Sequence, residues 1–395
     1  MNNNLSFHPT LLPLSPSKDN DKLWEEVLKK YDEKQYAESV RTLVVYIDKA
    51  LEDKYANADK TEYFIPHGSV TVGLKISEDT LFITAPFLDI STAKQVPLLR
   101  QVAQINFSPL TLSRIDLTEN QLTFNFSCPL TLCEPYKIYD VLREVCINAD
   151  NYDDEFITKF SATHIQTPKT ESLTEEQKNL AYDRIQAYAA EALSGYEQLE
   201  NKRLTAFLWD VLITTLLKID YYCVPQGNLR NELEKTISFL NSKEDFYQRM
   251  STAKDFLKKL QTTDKEKLKK DLYKIEIFVP YKYNANLDAV RNNLKYAYET
   301  AEKEMKAGDN IGATFSMSYG ILNLFYSYNV DTSVAALLTK AMTDASEKPM
   351  QESAKILYDA IHTIMTKDNF TVSVSKVADE AQKENKGFFK KIFGL

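Results

Sequence analysis

Between residues 22 and 160 the apolar positions switch repeatedly between a helical and an extended period. Trp24, Val27, Leu28 and Tyr31 recur at helical spacing behind Asp19 or Asp21, either of which can cap a helix. A break at Asp32–Gln35 precedes a second stripe: Val40, Leu43, Val44, Ile47 and Leu51. At Thr61 the texture becomes alternating. Tyr63–Ile65 and Val70–Ile76 read as half-buried strands, and Leu81–Ala85 follows the turn Ser77-Glu78-Asp79. Pro97 suits the first turn of a helix that carries Leu98, Leu99, Val102 and Ile105. Two more strands, Leu112–Leu117 and Leu122–Cys128, are joined by Thr118-Glu119-Asn120-Gln121. Pro135 then opens a helix with Ile138, Val141, Leu142 and Val145 on one face. Short turns between neighbouring strands call for an antiparallel sheet, and the surrounding helices predict an α+β layer arrangement.

This order of elements resembles the YbjN-type domain, which is similar to the type III secretion chaperone fold. The resemblance rests on the acidic-aromatic helix Trp24–Tyr31, the run Phe64–Leu88 and the helix Pro97–Asn106. The paired strands around Ile115 and Phe124 and the closing helix Tyr136–Asn148, with acidic Asp150–Glu155 behind it, complete it. It covers about residues 20–160. It implies a non-enzymatic domain that pairs with its own copy or with an extended segment of another protein.

A polar stretch, residues 161–171, reads as a linker, and from Leu173 the pattern is helical almost throughout. Leu173-Thr174-Glu175-Glu176-Gln177 has the composition of a helix start. Leu208, Val211, Leu212, Thr215, Leu216 and Ile219 predict a central buried helix. Ile275–Tyr283 is the exception, an extended loop or short edge strand broken by Pro280. Leu287–Lys306, Gly308-Asp309-Asn310 and Ile311–Tyr328 form an αα-hairpin with a glycine C-cap. No second copy recurs at a fixed period, so a helical bundle is expected rather than a repeat array. The domain plan is therefore an irregular, proline-containing arm (1–18), which Leu11, Leu12 and Leu14 can dock on the body, then the α+β domain (19–160). The linker (161–171), an all-helical domain (172–367) and a mobile tail (368–395) follow.

Charge sharpens this division. The 395 residues carry 48 Lys+Arg and 56 Asp+Glu, a net charge of -8. All of the imbalance lies in residues 1–160, because those contain 16 basic and 24 acidic residues and the remainder is balanced. An acidic total argues against a nucleic-acid partner. No apolar run approaches the ~18 residues of a membrane span, and the N-terminus lacks a signal-peptide pattern. Four scattered cysteines (Cys128, Cys133, Cys146, Cys223) do not suggest a disulfide framework, so a cytoplasmic location with reduced thiols is expected.

Candidate chemistry is sparse. The cysteines lack zinc-ligand spacing and read as buried thiols. Of the four histidines, His67 in Ile65-Pro66-His67-Gly68-Ser69 stands beside a serine, yet no orienting acid lies at a recognisable spacing. Asp150, Asp153, Asp154 and Glu155 lack the glycine of a calcium loop and read as a solvated acidic patch able to receive a basic segment. With nine glycines and no phosphate-loop motif, nucleotide binding is disfavoured. No cofactor, metal or catalytic residue is expected. The aromatic positions Tyr296, Tyr298, Phe315, Tyr319, Phe325 and Tyr326 suit a helical core, with an aromatic-lined peptide groove as the alternative.

The function these features predict is a non-enzymatic, protein-binding adaptor or chaperone-like protein. Its partner is another protein or its own copy, the latter as a homodimer. Val70, Val72, Leu74, Leu99, Val102 and Ile105 are the candidate contacts of the first domain, and the same residues suit an ordinary core. At the other end, Phe388, Phe389, Ile392 and Phe393 form an apolar side flanked by Lys390 and Lys391. Such an end can dock on another protein, pack on the body, or lie peripherally on an anionic membrane. The alternatives are a membrane-surface scaffold recruited by this tail and an enzyme whose site lies between the domains.

Overall fold

The computed structural model describes residues 5–12 and 21–367. The candidate tail contacts Phe388, Phe389, Ile392 and Phe393 lie outside these residues, as does Leu14. The class is α+β, an antiparallel sheet followed by helices.

The first part opens with helices α1 (Asp21–Asp32) and α2 (Tyr36–Ile47), separated by Lys34 at φ 60°, and a short α3 (Ala50–Tyr55). Strands β1 (Glu62–His67), β2 (Val70–Ile76) and β3 (Thr80–Asp89) follow, then α4 (Gln95–Phe107), β4 (Arg114–Thr118), β5 (Gln121–Pro129) and the long α5 (Pro135–Phe160). The strand order is β1-β2-β3-β5-β4, antiparallel throughout. Alternation decides which face each strand buries. Tyr63, Ile65, Val72, Leu74, Leu81, Ile83 and Phe124 turn inward, where α5 lies across β2, β3 and β5. Phe64 and Phe82, on the opposite face, are exposed.

The stretch expected to be a linker is built into the fold. Thr163–His164 forms β6, which pairs with Leu88 and Asp89 of β3. Thr170–Ser172 forms β7, which pairs with β8 (Tyr273–Ile275).

The helical part comprises α6 (Glu175–Asn201), α7 (Leu208–Cys223), α8 (Gly227–Leu240), α9 (Phe246–Thr262) and a single-turn α10 (Lys265–Lys269). After β8 come β9 (Tyr283–Ala285), α11 (Leu287–Lys306), α12 (Asn310–Ser327), β10 (Tyr328–Val330), α13 (Thr332–Ala345) and α14 (Met350–Thr366). Thr174 and Gln177 form a reciprocal capping box at the start of α6. The expected central helix is α7, buried along most of its length and packed on α6, α8, α9 and α12. Gly308 takes φ +82° at the hairpin, and α11 and α12 approach closely where Gly320 faces Ala297. Among the described residues no helix is long and apolar enough to cross a membrane.

Two apolar cores result, and each borrows from the other's stretch of chain. The helical core takes in Leu5 and Phe7 of the N-terminal arm. The core of the α+β part takes in Phe278 and Val279, which lie between β8 and β9.

Candidate functional site at the domain junction

Residues 276–282 form a strap that crosses from the helical part onto the α+β part. Pro280 denies this segment a helix, so its backbone groups need partners elsewhere. The first part supplies them. The amide of Gly68 donates to the Glu276 carbonyl at 2.9 Å, and the amide of Phe278 donates to His67 Nδ1 at 3.1 Å. The Arg143 guanidinium donates to the carbonyls of Pro280 (2.6 Å) and Tyr281 (3.1 Å). Between these bonds Phe278 and Val279 enter the core, 2% and 0% exposed.

His67 is thus an acceptor for backbone. Its Nδ1 must be unprotonated to receive the Phe278 amide, and burial pushes its pKa down to about 4. Its Nδ1 is thereby committed to the strap.

Asp150 is the polar centre beneath the strap. It accepts the Ser69 amide at 2.9 Å and the Tyr281 hydroxyl at 2.5 Å. Arg230 of α8 approaches it at 3.9 Å and lies 3.8 Å over the Tyr281 ring. Gly68 sits at φ +55°, and a Cβ there would fall 1.7 Å from Asp150 Oδ1. Only glycine both adopts that turn and leaves room for the carboxylate.

One turn further along α5, Asp153 and Asp154 border a cavity of about 380 Å³. Its wall also includes Ser69, His164 of β6, Thr170 and Ser172 of β7, Lys178 of α6, and Lys270, Leu272 and Tyr273. Asp153 is 0% exposed. Its Oδ1 accepts the Asp154 amide at 2.6 Å, while Oδ2 has no hydrogen-bond partner and lies 3.8 Å from His164 Nδ1. Burial, with the charges of Asp154 and Asp150, holds Asp153 well above the usual carboxylate range. Burial and the neighbouring Asp271 push Asp154 up to about 6. Glu155 points elsewhere. Burial raises it, but bonds from Lys159, Lys235 and Gln101 prevail and hold it at about 2.

The acidic run is therefore not a solvated patch. Asp153 and Glu155 are buried, and α8 delivers Arg230 to Asp150 and Lys235 to Glu155. A basic segment does meet these acids, and it comes from the same chain.

Most of the other sequence candidates fall in core positions. Val70, Val72 and Leu74 lie on the inward register of β2, and Val102 and Ile105 on the inward stripe of α4. All five are at most 6% exposed, so they are not available as a contact surface; Leu99 is half-buried against the same core. The four cysteines are free and buried, with Cys128 and Cys133 Sγ atoms 3.3 Å apart. Phe325 is core, Tyr319 packs edge-on against Trp209, and Tyr296 is exposed.

His164 is the residue that sequence reasoning passed over. A lone histidine in a polar stretch carries no signal until β6 pairs with β3 and brings it to α5. No protein-family model matches this chain, and no curated protein matches it.

Proposed function

We propose that this chain is a non-enzymatic, cytoplasmic protein-binding adaptor of the YbjN and secretion-chaperone kind, whose first domain receives extended polypeptide. The observation that carries the reading is the strap. Residues 276–282 are held by backbone bonds to Gly68, His67 and Arg143, with two side chains sunk in apolar pockets. Backbone bonds supply affinity and alternate pockets supply selectivity, which is how an extended partner segment is read. Four buried, free thiols suit a reducing compartment. The outer sheet face is the surface that would receive a partner. There Phe64 is 62% exposed beside Gly73, and Phe82 is 39% exposed beside Lys75.

The test is affinity capture of the full-length chain from its source cell with cross-linking mass spectrometry. The expected result is a protein cross-linked to β1–β3 and lost from a Phe64→Glu, Phe82→Glu variant that stays folded. Recovery of nothing beyond the bait, or capture that the variant leaves unchanged, overturns the reading.

A further inference from the structure

We propose that Asp153, Asp154 and His164 bind one divalent transition-metal ion of the zinc class in the cavity at the domain junction. Among the described residues, their donor atoms all lie within 4.8 Å of one another. A further observation points to a ligand. The Asp153 carboxylate is removed from solvent with Oδ2 unpartnered, and burying a carboxylate oxygen without a partner is costly. Ser69 Oγ, on a residue only 9% exposed, lines the same cavity beside the Asp153 carboxylate. A cation beside Oδ2 offsets that cost.

The donor set selects the ion. Calcium takes about 6–8 oxygen ligands, and magnesium demands near-octahedral oxygen geometry. Here one imidazole joins two carboxylates, a mixed set that suits zinc and its neighbours. Lys178 and Lys270 also line the cavity. Lys178 pairs with Glu175 at 3.3 Å. Their positive charge disfavours an ion held by charge alone and favours one that gains from a nitrogen bond. At about 30 Å³ per water, a cavity of about 380 Å³ has room for the solvent ligands that complete the coordination.

The consequence is structural. Asp153 and Asp154 stand on α5, whereas His164 stands on the two-residue strand β6. An ion would clip residues 161–171 to the α+β part, next to the β7–β8 pair from which the strap departs.

The test uses the full-length chain, stripped with chelator and titrated calorimetrically with zinc chloride. One zinc per chain is expected, with a rise in melting temperature. Asp153→Asn replaces one carboxylate oxygen at nearly constant shape, and His164→Ala alters a half-buried residue, so both variants are expected to fold. Each is expected to bind zinc at least about tenfold more weakly. Cobalt substitution gives a second readout: a visible absorption band from nitrogen–oxygen ligation that His164→Ala abolishes. Asp154→Asn, which relieves repulsion between neighbouring carboxylates, replaces Asp153→Asn if that variant misfolds. Absence of zinc binding by the folded chain overturns the proposal. So does equal affinity in the wild type and both folded variants, which would place the ion elsewhere.

Discussion

Two extended segments cross the same domain boundary in opposite directions, and they are held by different physics. The arm, residues 5–12, leaves the α+β part and docks on the helical core. Its anchors are Leu5 and Phe7, and its bonds are ordinary: Phe7 N to Ser346 Oγ, Glu347 N to the Leu5 carbonyl, Leu11 N to the Tyr222 carbonyl. The strap runs the other way, tied at both ends by β8 and β9, over the buried His67 and the half-buried Asp150, Tyr281, Arg143 and Arg230. A terminal segment can detach as a unit, so no single change in it can cost more than its whole docking energy. An internal segment fixed at both ends has no such escape. Disturbing it opens the α+β core itself.

The largest test of that contrast is a matched pair of deletions in urea unfolding. Phe278→Ala and Phe7→Ala remove equally buried rings, 2% and 3% exposed. Phe278→Ala should cost about 3–5 kcal/mol. Phe7→Ala should cost clearly less, below about 3 kcal/mol, because the arm can leave. Equal losses would mean that the arm is as integral as the strap.

Next is acidity. His67 has a depressed pKa in the folded state, so its contribution to stability is fully present above the unfolded value of about 6.5. It is lost as pH falls toward about 4. At about 1.4 kcal/mol per pKa unit this amounts to roughly 3 kcal/mol. Asp154, Asp210 and Asp271, each pushed up to about 6 by burial, give the opposite slope in part of this window. The readout is therefore the difference between wild type and His67→Gln, measured by denaturant midpoint from pH 7 to 4. That difference should shrink as pH falls. A constant offset would remove His67 as the acid-sensitive partner of the strap.

The smallest effect belongs to the arm. Ser346→Ala deletes the acceptor of the Phe7 amide and should cost about 1 kcal/mol. Faster cleavage near residues 5–12 in limited proteolysis, with a nearly unchanged global midpoint, is the expected pattern. A full-size global loss would erase the distinction between arm and strap.

Much of the fold was legible because it is local. Alternation over Val70–Ile76 marked a strand and its inward face, and the helical stripe of Leu208–Ile219 marked the central helix. That same alternation made Val70, Val72 and Leu74 look like contacts. Pattern states that a side chain faces something apolar but does not say whose. The strands β6 and β7, two and three residues long in polar sequence, are too short for any period to register. The acids of α5 were visible as a run, yet their separation into a cradle for Tyr281, a cavity wall and a partner for Lys235 depends on other elements, some of them 80 or more residues away.

By itself the sequence determined the α+β class, the order of elements, the central helix and the extended character of residues 276–282, because propensity and periodicity act over a few residues. Only the tertiary structure decided that the linker joins the sheets, that arm and strap exchange between two cores, and that Asp153 and His164 meet at one cavity. Those outcomes depend on which distant backbone groups and apolar surfaces find each other once water is excluded, and no local window of sequence contains that information.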